Sequence, residues 1–215
     1  MIDVRAFTVG PLQENCYLVR RPQATSAVIV DPGEEAPRLL EAIDALGIES
    51  LEAILLTHCH FDHVGAVKAV HDVTGAPVWC PELEIEVLAN IDAYTFPGFG
   101  PFESYDADHT VAGGETLELA GLSFDVRFTP GHSLGHVTYA VRDEQALLSG
   151  DVLFQGSVGR TDLPGGDWPT LLASIESLIQ EFPPETLVYP GHMGVTTLGD
   201  EQATNPFLRE LAQHS

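Results

Sequence analysis

Hydrophobic positions along the chain fall into short runs separated by turn residues, and the period of each run predicts an element. Residues 4–9, 16–19 and 27–30 are alternating or apolar runs of strand length, and the last leads into the strong turn Asp31-Pro32-Gly33. Residues 36–46 carry a helical pattern stopped at Gly47, and Ala53-Ile54-Leu55-Leu56 reads as a buried strand. Val64, Val67, Val70 and Val73 recur every third residue, which predicts one apolar stripe on a helix ending at Gly75. The stretch 90–105 has no clear period and is rich in aromatics, Pro and Gly. Two readings stay open for it: a lid, or a surface loop that tucks Phe96, Phe99 and Phe102 against the core. Further on, residues 117–119 pair with 122–129 around Gly121, and 137–141 pair with 146–148 around Arg142-Asp143-Glu144. A helix over 168–181, a strand over 187–189 and a closing helix over 201–213 complete the pattern. Two strand-rich halves, each finished by helices, predict an α/β (α+β) fold of two facing sheets with helices outside.

Composition adds bounds. A chain of 215 residues that is 44% hydrophobic is long enough for one substantial core, so a single domain over 1–215 is expected. No stretch approaches a membrane span, and Met1-Ile2-Asp3-Val4-Arg5 places an acid too early for a signal peptide. The expectation is a cytoplasmic protein with no membrane partner, a monomer or small homo-oligomer. Cys16, Cys59 and Cys80 are an odd, scattered set, which predicts inert thiols and neither a disulfide framework nor a sulfur-based metal site.

Charge is more unusual. Acidic residues number 32 against 9 basic ones, for a formal net charge of −23, and Lys68 is the only lysine. Such a surface repels phosphate backbones and anionic lipid, which argues against a nucleic-acid partner. It also suggests high-salt surroundings, where the Debye length shortens to roughly 3 Å at 1 M and self-repulsion is relieved. An ordinary acidic enzyme is the alternative.

The candidate chemistry begins directly after the strand ending at Leu56. Thr57-His58-Cys59-His60-Phe61-Asp62-His63 packs four potential metal ligands into six residues. In an extended turn, residues two apart lie on one side, so His58 and His60 can grip one cation while Asp62 and His63 face a second. A surface histidine cluster with Asp62 capping the next helix is the bland reading. Against it, such close groups compete for protons unless a cation joins them. Moreover, Gly131-His132, Gly150-Asp151 and Gly191-His192 each repeat the theme of a ligand beside a turn-forming glycine after an apolar segment.

With these residues the chain resembles the metallo-β-lactamase fold superfamily, whose His-x-His-x-Asp-His signature is matched by His58, His60, Asp62 and His63. The resemblance implies a four-layer αβ/βα sandwich with its metals in a cleft at one edge. It implies that one metal takes His58, His60 and His132, that the other takes Asp62, His63 and His192, and that Asp151 bridges both. Cys59 falls at a variable position. A His and Asp donor set suits two divalent ions, zinc first, with iron or manganese as alternatives. Two such ions lower the pKa of a shared water to roughly 7, and the resulting hydroxide is the nucleophile, with Asp62 and Asp151 as the catalytic carboxylates that hold the pair.

A narrower resemblance covers nearly the whole chain. Gly10-Pro11-Leu12-Gln13-Glu14-Asn15-Cys16-Tyr17, Thr129-Pro130-Gly131-His132-Ser133, Gly159-Arg160-Thr161-Asp162 and the tail from Thr196 to Leu208 are similar to short glyoxalase II-like members. The implied activity is hydrolysis of a small-molecule thioester such as the glutathione conjugate S-D-lactoylglutathione. A thiolate is a good leaving group that asks for no strong general acid. Longer glyoxalase II enzymes append a helical domain with basic residues that hold glutathione, whereas only residues 193–215 follow His192 here. Arg160, the sole Lys or Arg between Arg142 and Arg209, is then the candidate substrate-binding cation; an ion pair with Asp162 or Asp167 is its other reading. Met193 stands where related sequences tend to have glycine and would narrow the cleft. His71, His109 and His214 lack companion ligands, and His136 reads as a satisfied structural histidine. The rival activity is an iron-dependent persulfide dioxygenase, which shares the Thr-His-Cys-His-x-Asp-His pattern and the Gly-Arg-Thr-Asp loop. β-Lactam hydrolysis is disfavoured by Asp62 in the second half-site and the missing secretory segment.

Overall fold

Strand β2 (Glu14–Arg20) lies between β1 (Asp3–Val9) and β3 (Ser26–Val30) and is buried along its whole length, and the period of its side chains explains the layering of the molecule. Cys16 and Leu18 enter one core while Tyr17 and Val19, between them, enter another. β3 divides the same way, with Ala27 and Ile29 on one side and Val28 and Val30 on the other. The computed structural model describes residues 1–142 and 144–208.

The first sheet continues through β4 (Ser50–Leu55), β5 (Val78–Pro81) and β6 (His109–Val111) in the order β1-β2-β3-β4-β5-β6. Its first three strands are antiparallel, and β3 through β6 are parallel. β7 (Thr116–Leu119), β8 (Leu122–Phe128), β9 (Val137–Val141) and β10 (Ala146–Gly150) begin the second sheet. After a hairpin of β11 (Leu153–Phe154) and β12 (Ser157–Val158), β13 (Leu187–Pro190) and β14 (Thr196–Thr197) complete it in the order β14-β13-β10-β9-β8-β7.

The sheets face each other across the core that holds Tyr17, Val19, Val28 and Leu55 from one and Leu122, Phe124, Tyr139 and Leu148 from the other. The outer face of the first sheet packs on α1 (Ala36–Ala45), α2 (Phe61–Val64), α3 (Val67–Thr74), α4 (Ile85–Ala89) and α5 (Ile91–Tyr94). The outer face of the second packs on α6 (Trp168–Glu181) and α7 (Leu198–Thr204). This is the four-layer αβ/βα sandwich. Among the described residues no helix is long and apolar enough to cross a membrane.

Three details differ from the sequence pattern. The valine stripe spans two helices, because Ala66 N–H donates to Pro32 O at 3.0 Å instead of continuing the helical ladder. Gly65 sits so close to the Asp31-Pro32-Gly33 turn that a Cβ would lie 2.5 Å from Gly33 O. A three-residue spacing also lags the helical turn by about 60° per step, so the stripe rotates outward; Val67 and Val70 are buried but Val73 is 69% exposed. The closing helix begins earlier, at Leu198, where Thr197 caps it by accepting from Asp200 N. It ends at Thr204, since Pro206 lacks the N–H that a continuing helix needs; residues 209–213 of the expected helix lie outside the described residues. In the 90–105 stretch, Phe99 and Phe102 pack on Phe61 and the outer core, as a tucked loop does, whereas Tyr94 and Phe96 stay half exposed.

Candidate metal centre

Parallel strands end together, and that places the site. β4 leads into Thr57 and the His58–His63 segment, while the parallel pair β10 and β13 delivers Asp151 and His192 side by side. The loop from β8 to β9 carries His132 and is closed by Thr129 N–H donating to His136 O. Glycines permit the close approach: a Cβ on Gly191 would lie 2.2 Å from Asp151 Oδ1, and one on Gly150 would lie 2.3 Å from Thr57 Oγ1.

All seven residues expected to bind metal meet at this edge. The ligand atoms of His58, His60 and His132 lie within 4.8 Å of one another, and so do those of Asp62, His63 and His192. Asp151 stands between the two triplets. Its Oδ1 is 3.4 Å from His63 Nε2, and its Oδ2 is 3.4 Å from His132 Nε2 and 3.6 Å from His192 Nε2. His60 Nδ1 and His132 Nε2 face each other at 2.8 Å.

The surrounding hydrogen bonds fix which nitrogen each histidine offers. Thr57 Oγ1 donates to Asp31 Oδ2 at 2.6 Å and therefore accepts from His58 Nδ1 at 3.1 Å, leaving His58 Nε2 as a lone pair. His63 Nδ1 donates to the same Asp31 oxygen, and His132 Nδ1 donates to Arg160 O at 2.7 Å. His58 Nε2, His63 Nε2 and Asp151 Oδ1 are buried and have no hydrogen-bond partner. Buried polar atoms left without partners cost roughly 1–3 kcal/mol each, and lone pairs converging from imidazole and carboxylate are what a divalent cation requires. The residues present therefore fit a metal pair.

Charge at the site is divided. Burial and the neighbouring imidazoles hold the pKa of His58 well below its ordinary value, and burial with His132 brings that of His60 down to about 4. Burial also opposes charge on His63, but Asp151 and Asp62 outweigh it and raise its pKa well above the ordinary value. Conversely, burial would raise the pKa of Asp151, yet His63 and the other imidazoles pull it below the usual carboxylate range.

Arg160 reaches the rim of the cavity, and its guanidinium makes a bidentate pair with Asp162 at 2.7 and 2.8 Å. Asp167, the other partner considered for it, instead caps α6 through Thr170 N. Cys59 is buried with its Sγ 3.5 Å from Cys80 and takes no part in the cluster. His136 is structural but close to the chemistry: its Nε2 accepts from Asp151 N at 3.0 Å and holds that loop.

Sequence reasoning missed three supports. Asp31 read only as part of a turn, although it follows a strand end as the ligands do. Thr57 drew no attention beside the histidines. Glu14 is almost fully buried 3.7 Å from His63 with neither carboxylate oxygen hydrogen-bonded, and burial raises its pKa against the pull of His63. An acid at the head of the buried strand β2, just before Asn15 and the apolar run, was the available signal.

Comparison with known proteins agrees with this geometry. The family model of the metallo-beta-lactamase superfamily matches residues 9–192. A "Probable metallo-hydrolase YqgX" of Bacillus subtilis is 40% identical, with 95% of this chain and 96% of that one aligned. A "Hydroxyacylglutathione hydrolase GloC" of Haemophilus influenzae is 34% identical, over 96% of this chain and 98% of its own. Among solved structures, the BLEG-1 B3 metallo-beta-lactamase superposes with a TM-score of 0.89 at 41% identity, covering 97% of this chain and 99% of that one. TTHA1623 in a di-iron-bound form gives 0.78 at 42% identity, covering 95% and 100%. The chain belongs to the metallo-beta-lactamase superfamily.

Proposed function

We propose that this superfamily member is a binuclear metal-dependent hydrolase that cleaves thioesters. The observation that carries the reading is the convergence of the unpartnered atoms His58 Nε2, His63 Nε2 and Asp151 Oδ1 between two ligand triplets. In this reading His58, His60 and His132 would hold one ion and Asp62, His63 and His192 the other, with Asp151 available to both. When bound, two divalent cations supply Lewis acidity and an activated water near neutral pH. Zinc suits the donor set, and the di-iron form of the TTHA1623 neighbour supports iron as well.

The protein's own part is positional. Asp31 and Thr57 set the ring orientation of a histidine in each half, and the Arg160 carbonyl sets that of His132. The cavity over the site, about 340 Å³, has Phe61 and Phe154 at its walls, which limits water around a bound ester. No Lys lines this cavity among the described residues, and beyond the metal-binding carboxylates and imidazoles only the weakly acidic Tyr94 and Ser157 hydroxyls could give a proton, which favours a leaving thiolate, needing little acid help, over an amine. The name of the GloC relative supports the same bond type.

The test is metal analysis of freshly purified protein with three parallel assays: thiol release from thioesters, oxygen uptake with sulfite formation from a persulfide, and β-lactam ring opening. Thiol release that disappears with a chelator and returns with metal is expected. Sulfite formation without thiol release would replace this reading with the dioxygenase, and dominant β-lactam opening would replace it with a lactamase.

A further inference from the structure

We propose that the substrate arm lying in the mouth of this cavity is uncharged and apolar, an alkyl or aryl group, and does not carry free carboxylates as a peptide-like thiol does. The inference rests on the thioester reading above and names the substrate class for the same site.

Three separate segments bring large hydrophobic side chains to one opening, Tyr94 adding a neutral phenol hydroxyl. Leu12 comes from the β1–β2 turn, Tyr94 and Phe96 come from α5 and the segment after it, and Met193 follows His192. They are 42%, 49%, 41% and 56% exposed, respectively, while Phe154 is buried deeper in the same cavity. Single exposed hydrophobics are normal, but four that rim one concave site mark a ligand surface. Their placement is held from behind. Phe96 meets Phe61 edge-on with ring centroids 5.5 Å apart, and Phe61 is further packed by Phe99 and Phe102. Met193 takes φ 68, a conformation side chains rarely adopt, and Asn15 Nδ2 pins it by donating to its carbonyl at 2.8 Å.

Charge points the same way. Arg160 is the one Lys or Arg among the described residues that line the cavity, and both oxygens of Asp162 already face its guanidinium. A substrate carboxylate would have to displace Asp162 or crowd beside it. Exchanging one exposed carboxylate for another on the same fork gains almost nothing, because such pairs are individually weak in water. The surplus of acidic residues in the chain adds repulsion toward an anionic arm. Apolar contact, with the neutral Tyr94 and Ser157 hydroxyls, is thus the recognition that remains, and none of these groups carries a charge for a carboxylate.

The experiment uses metallated full-length protein and two series sharing one thiol ring, neutral or bearing a carboxylate: acyl thioesters for turnover and the matching thioethers for binding. The neutral thioester is expected to have a kcat/KM roughly tenfold above its carboxylated twin, with a parallel gap in thioether Kd, as about one buried ring edge provides. Phe96→Ala should shrink that gap. Asp162→Asn should raise kcat/KM for the carboxylated ester and for S-D-lactoylglutathione severalfold while leaving the neutral ester unchanged, since it releases the Arg160 fork. Equal or tighter binding of the carboxylated thioether, or no response of anionic esters to Asp162→Asn, would overturn the inference. If no ester turns over, the thioester reading falls, and the thioether affinities alone decide whether the mouth selects an apolar arm.

Discussion

Asp31 stands 3.1 Å behind His63, its Oδ2 accepting from Nδ1, and the same oxygen accepts from Thr57 Oγ1, which in turn holds His58. One buried carboxylate thereby orients a histidine of each ligand triplet.

Asp31→Asn should therefore loosen both halves. Oδ2 accepts from Thr57 Oγ1 and His63 Nδ1 while Oδ1 accepts from Thr57 N at 2.8 Å, and an amide keeps only one acceptor oxygen, so either its NH₂ opposes the Thr57 N–H or the Thr57 hydroxyl and His63 bonds are lost. Metal affinity is expected to fall about 10- to 100-fold, as it does when outer hydrogen bonds of ligating histidines are lost. Competition with a chromophoric chelator measures it, and unchanged affinity would mean that the rings are held by packing alone.

Asp151→Ala should abolish hydrolysis. Among the described residues Asp151 is the one carboxylate within 3.4 Å of a histidine from each triplet, so its loss uncouples the two half-sites. Circular dichroism and metal content would separate lost chemistry from lost folding. A folded variant with near-normal turnover would contradict a two-ion mechanism.

Metal uptake should release protons. Asp151 and Asp62 raise the pKa of His63, against burial, above its ordinary 6.5, whereas His60 stays neutral down to about pH 4. A cation needs the neutral imidazole, so it must expel the His63 proton, and its affinity rises as pH climbs through that raised pKa. The sign for the metal-free protein is opposite. The stability His63 contributes is fully present below its unfolded pKa and is lost as pH rises through the folded one. Calorimetric titration in buffers of different ionisation enthalpy reads the proton count directly. On acidification, the ion at Asp62, His63 and His192 should leave first. Uptake at pH 7 that is independent of buffer would refute this.

How much of this was legible in the sequence depends on how local each signal is. The strand period of residues 16–19 and 27–30 and the dense run from His58 to His63 are local, and both led to the right layers and the right edge. His132, Asp151 and His192 were found through glycine-ligand pairs at strand ends, but their grouping into triplets came from resemblance, because distance across two sheets leaves no mark on spacing. Asp31 and Glu14 escaped for a like reason, since their roles lie in contacts with His63 about 30 to 50 residues away, and Thr57, though next to His58, escaped because its role depends on its bond to the distant Asp31. The break after Val64 was invisible because Gly65 answers to Gly33 and Phe102, which no helical period encodes.

The last prediction concerns the acidic surplus. Arg5, Arg20, Arg21, Arg38, Lys68, Arg127, Arg142 and Arg160 each already pair with a carboxylate, so every described Lys and Arg is engaged. With 32 acidic residues against 9 basic ones, most carboxylates have no Lys or Arg to meet, and their mutual repulsion grows as the chain compacts. Salt acts on both sets. It weakens the exposed pairs, worth only about 0–1 kcal/mol each, and relieves repulsion summed over the larger unpaired set. The second effect should win, so the melting temperature at neutral pH is expected to climb steadily from dilute buffer to molar KCl. Metal loading must be held constant during the titration, because ions bound only by the folded state stabilise it by mass action. A melting temperature indifferent to KCl in fully metallated protein would show that the carboxylates lie too far apart to repel, and the case for an adaptation to salt would end there.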